Sequence, residues 1–141
     1  MGYRLMTTPI AFDSRPSPEP DFISKPFFDS LEQGVLCVQK CSRCEAVQLG
    51  ELICNQCFAQ DLQWVPASGQ GKVHSCAIVH LAYHPAFAVP YAVVSVELAE
   101  GPRLLANMAD CDLRDIQVGM PVVMRPSKLA TGVTVPLFVP A

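Results

Sequence analysis

Two cysteine pairs, Cys41-Ser-Arg-Cys44 and Cys54-Asn-Gln-Cys57, constrain this 141-residue chain more than any other feature. In each pair two residues separate the thiols, and that spacing lets both sulfurs reach one tetrahedral ion at roughly 2.3 Å. The short stretch Glu45 to Ile53 between the pairs has room to fold back as a hairpin. The arrangement reads as a zinc ribbon. Four thiolates would fill all four coordination positions and leave none for water, so the expected role is structural rather than catalytic. The same ligand set also suits a mononuclear iron, and the same spacing would allow two disulfides.

Half of the residues are hydrophobic and 16% are charged, which is ample for a packed core and argues against general disorder. No apolar run approaches the ~20 residues that span a bilayer. The opening Met1-Gly-Tyr-Arg-Leu-Met-Thr-Thr-Pro9 contains no secretory apolar segment. Seven cysteines without such a segment point to a reducing cytoplasm, where thiols bind metal or pack as small hydrophobes. The formal charge is −3, and a zinc ion with four thiolates adds a further −2, which brings the loaded chain to about −5. Nucleic-acid binding needs Lys and Arg gathered against phosphates. Here the ten basic residues are scattered and only Lys40 and Arg43 fall close together, so nucleic acid is an unlikely partner by charge.

Residues 1–23, with Pro9, Pro16, Pro18 and Pro20, read as a mobile N-terminal arm. Residues 24–66 read as a helix plus the ribbon. Ser24 is the expected N-cap, Pro26 fits the first turn and Gly34 the stop. Phe27, Phe28 and Leu31 share one side of that helix, either packed on the protein's own body or docked on a partner. The ribbon strands are expected at Val35 to Lys40, Val47 to Leu49 and Leu62 to Val65, with Trp64 covering the small core beside the metal. Pro66-Ala-Ser-Gly-Gln-Gly71 reads as a linker. Residues 67–141 then hold five β-runs: Lys72 to Leu81, Tyr91 to Leu98, Arg103 to Met108, Pro121 to Arg125 and Val133 to Val139. Five strands in so short a stretch, with an Asp-rich loop (Asp110, Asp112, Asp115) before Gly119, predict a mainly β protein ending in an OB-fold barrel. An SH3-like barrel is the alternative.

The order of several pieces resembles one known family. They are Phe27-Phe-Asp-Ser-Leu-Glu-Gln-Gly34, Leu36-Cys-Val-Gln-Lys-Cys-Ser-Arg-Cys44, Cys54-Asn-Gln-Cys57, Leu62-Gln-Trp64, Gly69-Gln-Gly-Lys-Val73, Pro90 to Gly101, Val118-Gly-Met-Pro-Val-Val123 and Pro136-Leu-Phe-Val-Pro140. They resemble the acyl-CoA-associated proteins with a rubredoxin-like zinc ribbon plus OB-fold, described as domain of unknown function 35. The resemblance runs from about residue 24 to the end. It implies a fold of N-terminal helix, ribbon and barrel, and zinc on Cys41, Cys44, Cys54 and Cys57, with iron as a substitute. It also implies an accessory role beside a thiolase-like enzyme (thiolase, acyltransferase or aldolase) acting on an acyl-CoA substrate. Some members are non-catalytic subunits of such complexes. Others, alone or fused to a hydratase, partner an aldolase that cleaves steroid side-chain CoA esters. The chain departs from the family pattern at Leu49-Gly50-Glu51, where a Pro-Pro-Arg-like run is usual, and at Asn55, where proline is usual. The four ligands are kept, but Glu51 reverses the charge of a basic contact.

Other candidate chemistry is sparse. Cys37, four residues before Cys41, is expected to pack rather than to bind metal, and so is Cys76. Cys111 lies between Asp110 and Asp112, where neighbouring negative charge keeps a thiol protonated. His74 and His80 share strand parity and would share a barrel face. His84 sits in a loop with Tyr83 and Phe87, whose apolar side chains mark a surface for a partner or an acyl-CoA ligand. No nucleophile or carboxylate stands near these histidines in sequence, and no Gly-rich phosphate loop is present. A chain of this length is also too short to hold a thiolase active site. An autonomous enzyme is therefore not expected. Two further readings stand beside the accessory subunit: a nucleic-acid-binding ribbon and OB module, and a free-standing acyl-CoA-binding protein. The charge yields a direct expectation: at ~150 mM salt, mobility-shift titration should show no single-stranded nucleic acid binding tighter than the micromolar range typical of non-specific contacts.

Overall fold

The computed structural model describes residues 15–141. Chain order begins with a short helix, α1 (Lys25–Glu32). Ser24 holds the N-cap position, but its hydroxyl does not cap. Asp21 organises the entry instead. Its carboxylate accepts from the amides of Ser24 (2.8 Å) and Ile23 (3.0 Å) and from Ser24 Oγ (2.8 Å). These bonds, that of the Ser24 amide foremost, hold the Asp21 carboxyl below its ordinary range. At the far end Gly34, at φ 77°, turns the chain out of the helix. Its amide donates to Leu31 O, and the Val35 amide reaches back to Ser30 O.

The ribbon is a three-stranded antiparallel sheet of β1 (Cys37–Cys41), β2 (Val47–Gln48) and β3 (Leu62–Pro66), with β1 in the centre. Gln39 on β1 therefore faces Gln48 on one side and Trp64 on the other. Next come β4 (Gln70–Val79), β5 (Tyr91–Leu98), β6 (Arg103–Met108), β7 (Pro121–Lys128) and β8 (Thr134–Pro140). They close into a barrel ordered β4-β5-β6-β8-β7. The third and fifth barrel strands run parallel, with Asn107 opposite Leu137, and β4 closes on β7 through Gly71 and Val122. This is the OB-fold arrangement, and the SH3-like alternative is set aside.

β5 shows the expected alternation, with Ala92, Val94, Val96 and Leu98 all buried. β4 does not keep a single parity. Its register against β5 shifts between Val73 and Ser75, and the strand ends at Val79. The bulge falls at His74, and His80 lies beyond the last residue of the strand, so the shared face expected for these histidines is lost.

One buried cluster joins the helix, the ribbon and the barrel. Leu31 of α1, Leu36, and Val38 of β1 pack with Val73, Val94, Val96, Met108, Val122 and Phe138. The boundary read at residue 66 falls at the end of β3, and this cluster crosses it. The stretch expected to be a linker is already part of the barrel edge. The Ala67 amide donates to Leu36 O (2.7 Å), and the Met124 amide donates to Gly69 O (2.8 Å). The N-terminal arm is anchored at Arg15, which is only 6% exposed, while residues 18–22 lie at the surface. The rest of the expected arm, residues 1–14, lies outside the described residues. Trp64 also departs from expectation. Its ring lies 6.3 Å from that of Phe27 and closes over Gly50, so it seals the ribbon to α1 rather than covering the metal core.

Gly71 sits where β4 must approach both β5 and β7. A Cβ there would lie 2.6 Å from Glu97 O and 2.7 Å from Val96 Cγ1. Gly71→Ala should therefore cost about 1–3 kcal/mol by forcing the strands apart. Urea unfolding should show a lower midpoint with little change in slope.

Candidate metal centre and apolar groove

The ribbon brings its four cysteines to one point from two similar turns. In the first, the Glu45 amide donates to Cys41 O (2.9 Å) and the Cys41 amide to Ala46 O (2.9 Å). In the second, the Phe58 amide donates to Cys54 O (2.9 Å) and the Cys54 amide to Ala59 O (2.8 Å). The residue after the second cysteine takes a left-handed backbone in both turns, Glu45 at φ 63° and Phe58 at φ 61°. The four Sγ atoms lie within 4.8 Å of one another. Cys41 Sγ is 3.6 Å from Cys57 Sγ, and Cys44 Sγ is 3.5 Å from Cys54 Sγ. Sulfurs at ~2.3 Å from a central ion form a tetrahedron with edges of ~3.8 Å, so the four thiols fit a tetrahedral metal. The same separations are far longer than the ~2.05 Å of a disulfide, and all seven cysteines are free thiols.

Two amides aim at the Cys54 sulfur. Those of Cys57 and Gln56 draw its pKa down to about 6, which favours the thiolate that a metal needs. At Cys44 the Ala46 amide acts in the same sense, but hydrogen bonds among the sulfurs outweigh it and push that thiol up to about 12. Metal must displace the Cys44 proton, so its affinity rises with pH.

A second layer of contacts was not anticipated. Gln39 and Gln48 are both buried and face each other across β1 and β2. Gln48 Nε2 donates to Ile53 O (3.0 Å) and to Gln39 Oε1 (3.3 Å), while Gln48 Oε1 accepts the Asn55 amide (2.9 Å). Gln39 Nε2 donates to Glu51 O (3.1 Å) and its Oε1 accepts the Glu51 amide (2.9 Å). The two amides thus pin residues 51–55, the stretch that delivers Cys54. The one sequence signal was that Gln39 shares strand parity with Cys41.

The residues singled out as partner or ligand contacts divide. Leu31 is 0% exposed and belongs to the core, so it has no surface to offer and that assignment is withdrawn. Phe27 and Phe28, edge to face at 5.3 Å, are half-buried. Together with Phe87 they line an apolar cavity of about 320 Å³, whose floor includes Leu104 and Ala106 of β6. Arg15 closes one side of it. Its guanidinium lies 4.5 Å from the centre of the Phe87 ring and 5.6 Å from that of Tyr91, and Nη1 donates to Asn107 Oδ1 (3.0 Å). His84 stacks edge-on against Phe87 at 6.1 Å and accepts the Ala86 amide on Nδ1, so it shapes the loop. Tyr83 is 78% exposed and stands outside the cavity. Sequence reasoning did not find Arg15, because nothing in a proline-rich arm signals that it folds back on β6.

Of the remaining thiols, Cys76 departs from the expected packing: the stretch 74–77 of β4, at and past the bulge, is exposed throughout, and Cys76 with it. Burial first, then Asp115, Asp112 and Asp110, pushes the Cys111 thiol up. Partial desolvation also raises that of Cys76. Neither belongs to the four-sulfur group. Among the described residues no helix is long and apolar enough to cross a membrane.

Fold and site together define a four-cysteine ribbon joined to an OB barrel. Comparison with known proteins places this class. A family profile described as "ChsH2, C-terminal OB-fold domain" matches residues 64–125. A solved structure described as "Ltp2-ChsH2(DUF35) aldolase" superposes with a TM-score of 0.81 at 34% identity, over 88% of this chain and 98% of that one. The chain belongs to the DUF35 family. A probable enoyl-CoA hydratase alpha subunit of Thermomonospora curvata is 35% identical over 128 residues, which is 90% of this chain and 40% of that protein. The benzoylsuccinyl-CoA thiolase subunit BbsA of Geobacter metallireducens is 28% identical over 69 residues, 49% of this chain and 47% of that protein. The chain thus spans about two fifths to one half of the length of these two curated relatives.

Gln48→Leu should leave Ile53 O and the Asn55 amide without their buried partner in a part-buried setting, at a cost of about 1 kcal/mol or somewhat more. We expect faster metal release to a chromogenic chelator, with the four ligands unchanged. Wild-type release rates would show that the amide network does not support the site.

Proposed function

We propose that this chain is a non-catalytic accessory subunit that binds a thiolase-like enzyme acting on an acyl-CoA substrate. The observation that carries the reading is the match to the DUF35 part of an aldolase assembly along nearly its whole length. A thiolase subunit among the relatives supports the same class of partner. The metal on Cys41, Cys44, Cys54 and Cys57 is proposed to be zinc, with iron as a substitute, since four thiolates at tetrahedral spacing suit both. Its role is to hold the ribbon. Phe27, Phe28, Tyr83, His84 and Phe87 are the proposed contacts for the partner or for acyl-CoA, and the cytoplasm is the proposed location.

The free-standing acyl-CoA-binding reading rests on one feature, the cavity beside Phe27 and Phe87. It predicts tight CoA-ester binding by the isolated chain. The accessory reading predicts a stable complex instead. Metal analysis should find about one zinc per chain, and Cys54→Ser should unfold the ribbon, since structural zinc contributes on the order of 10 kcal/mol to small ribbons. Co-expression with a thiolase-like acyl-CoA enzyme from the same organism, followed by size-exclusion chromatography, should yield one co-eluting complex. Replacing Phe27 and Phe28 together by Ala should weaken that complex by about 2 kcal/mol or more while zinc content holds. Separate elution, with full partner activity in the absence of this chain, would refute the accessory role.

A further inference from the structure

The second metal turn carries an aromatic residue where the backbone favours glycine. Phe58 follows Cys57 at φ 61°, a left-handed conformation that side chains with a Cβ adopt at a cost and glycine adopts without one. Its ring brings no compensating burial. It is 72% exposed and belongs to neither buried cluster of the protein. A bulky, strained and solvated residue of this kind points to a role outside the fold.

Phe58 does not stand alone. Its amide is bonded to Cys54 O, which sets it beside the segment that enters the turn. That segment contributes Leu52, 61% exposed, and Ile53, 41% exposed. Apolar side chains exposed within one short stretch, residues 52–58, are costly to leave in water and mark a contact surface. The backbone beneath them is already fixed. Gln39 and Gln48 hold Glu51, Ile53 and Asn55, and the four sulfurs hold Cys54 and Cys57. A surface ordered in advance loses little freedom on binding. None of the residues lining the cavity beside α1 comes from this turn.

The surrounding charge indicates what fits. Residues 41–61 hold one cation, Arg43, against Glu45, Glu51 and Asp61, a balance of −2 before any metal is counted. Among the described residues Glu45 has one ion pair, with Lys40 at 3.9 Å. A metal on four thiolates makes the tip more negative still. An apolar centre with an acidic rim complements a protein pocket edged by Lys and Arg and repels nucleic acid.

We propose that Phe58, with Leu52 and Ile53, forms the tip by which the ribbon docks into a basic-rimmed apolar pocket of the partner enzyme. This rests on the accessory-subunit reading and gives it a second contact point, apart from Phe27 and Phe28. The decisive variant is Phe58→Gly, because glycine relieves the backbone while removing the ring. In the full-length, metal-loaded chain it should keep its zinc and melt at the same temperature or higher. Its affinity for the co-expressed acyl-CoA enzyme, read by titration calorimetry, should fall at least tenfold. Leu52→Asp should weaken binding in the same way, and Val118→Ser, at an exposed site outside the ribbon, should not. Affinity should also fall as salt rises.

The outcomes separate cleanly. A wild-type complex that the Phe58→Gly chain forms equally well overturns the docking tip and leaves the accessory reading standing. Loss of zinc in Phe58→Gly makes the ring structural and also overturns the tip. Self-association of the wild-type chain that Phe58→Gly abolishes assigns the surface to a second copy instead. No complex with the wild-type chain refutes the accessory reading and the tip with it.

Discussion

The convergence of four sulfurs at one end of β1 is the constraint on which the rest of the protein depends. The ribbon around them is too small to hold itself with apolar burial, because its own cluster consists of Cys41, Cys54 and Ala59 with a few half-buried neighbours. Yet β1 is also structural for the barrel. Three residues before Cys41, Val38 lies in the large core beside Leu36 and Leu31. One five-residue strand therefore carries a member of the four-cysteine group at its end and core packing in its middle. Metal binding and barrel packing are coupled through that strand, since disorder in one turn would release the register that places Val38.

Polar contacts then do what burial cannot. The pair Gln39 and Gln48 satisfies backbone groups from Glu51 to Asn55 in a stretch with no regular structure. Buried polar side chains are costly unless fully bonded, and full bonding makes them specific. The result is a rigid second turn on which apolar residues can be shown to solvent. Arg15 serves a comparable end in the N-terminal arm. By stacking on Phe87 and Tyr91 and bonding to Asn107, it ties an extended arm and a long loop to β6. The cavity beside α1 exists because those three segments meet there.

How far the sequence revealed this differs by element. The four-cysteine group was legible because metal coordination is a local matter of spacing, and two C-x-x-C pairs state that spacing directly. The barrel strands were legible from alternation and from Gly and Pro boundaries, and β5 and β6 fall where they were expected. β4 was less so, since a bulge at His74 is invisible to a period of two. The helix and its N-cap position at Ser24 were placed well, but the carboxylate that organises the entry, Asp21, was not found, because Asp21 and Ser24 are equally good acceptors on paper and only geometry ranks them.

The sequence by itself determined that this chain gathers four cysteines fit to hold a metal and ends in a small β-barrel, because both follow from residue type at fixed short spacing. Tertiary structure alone decided that helix, ribbon and barrel share one core, that Leu31 is buried inside it, and that Trp64 seals the ribbon to α1. It alone brought Arg15 to Phe87 and left Phe58 in water. Those outcomes depend on which surfaces meet over long separations along the chain, and no local pattern encodes that choice.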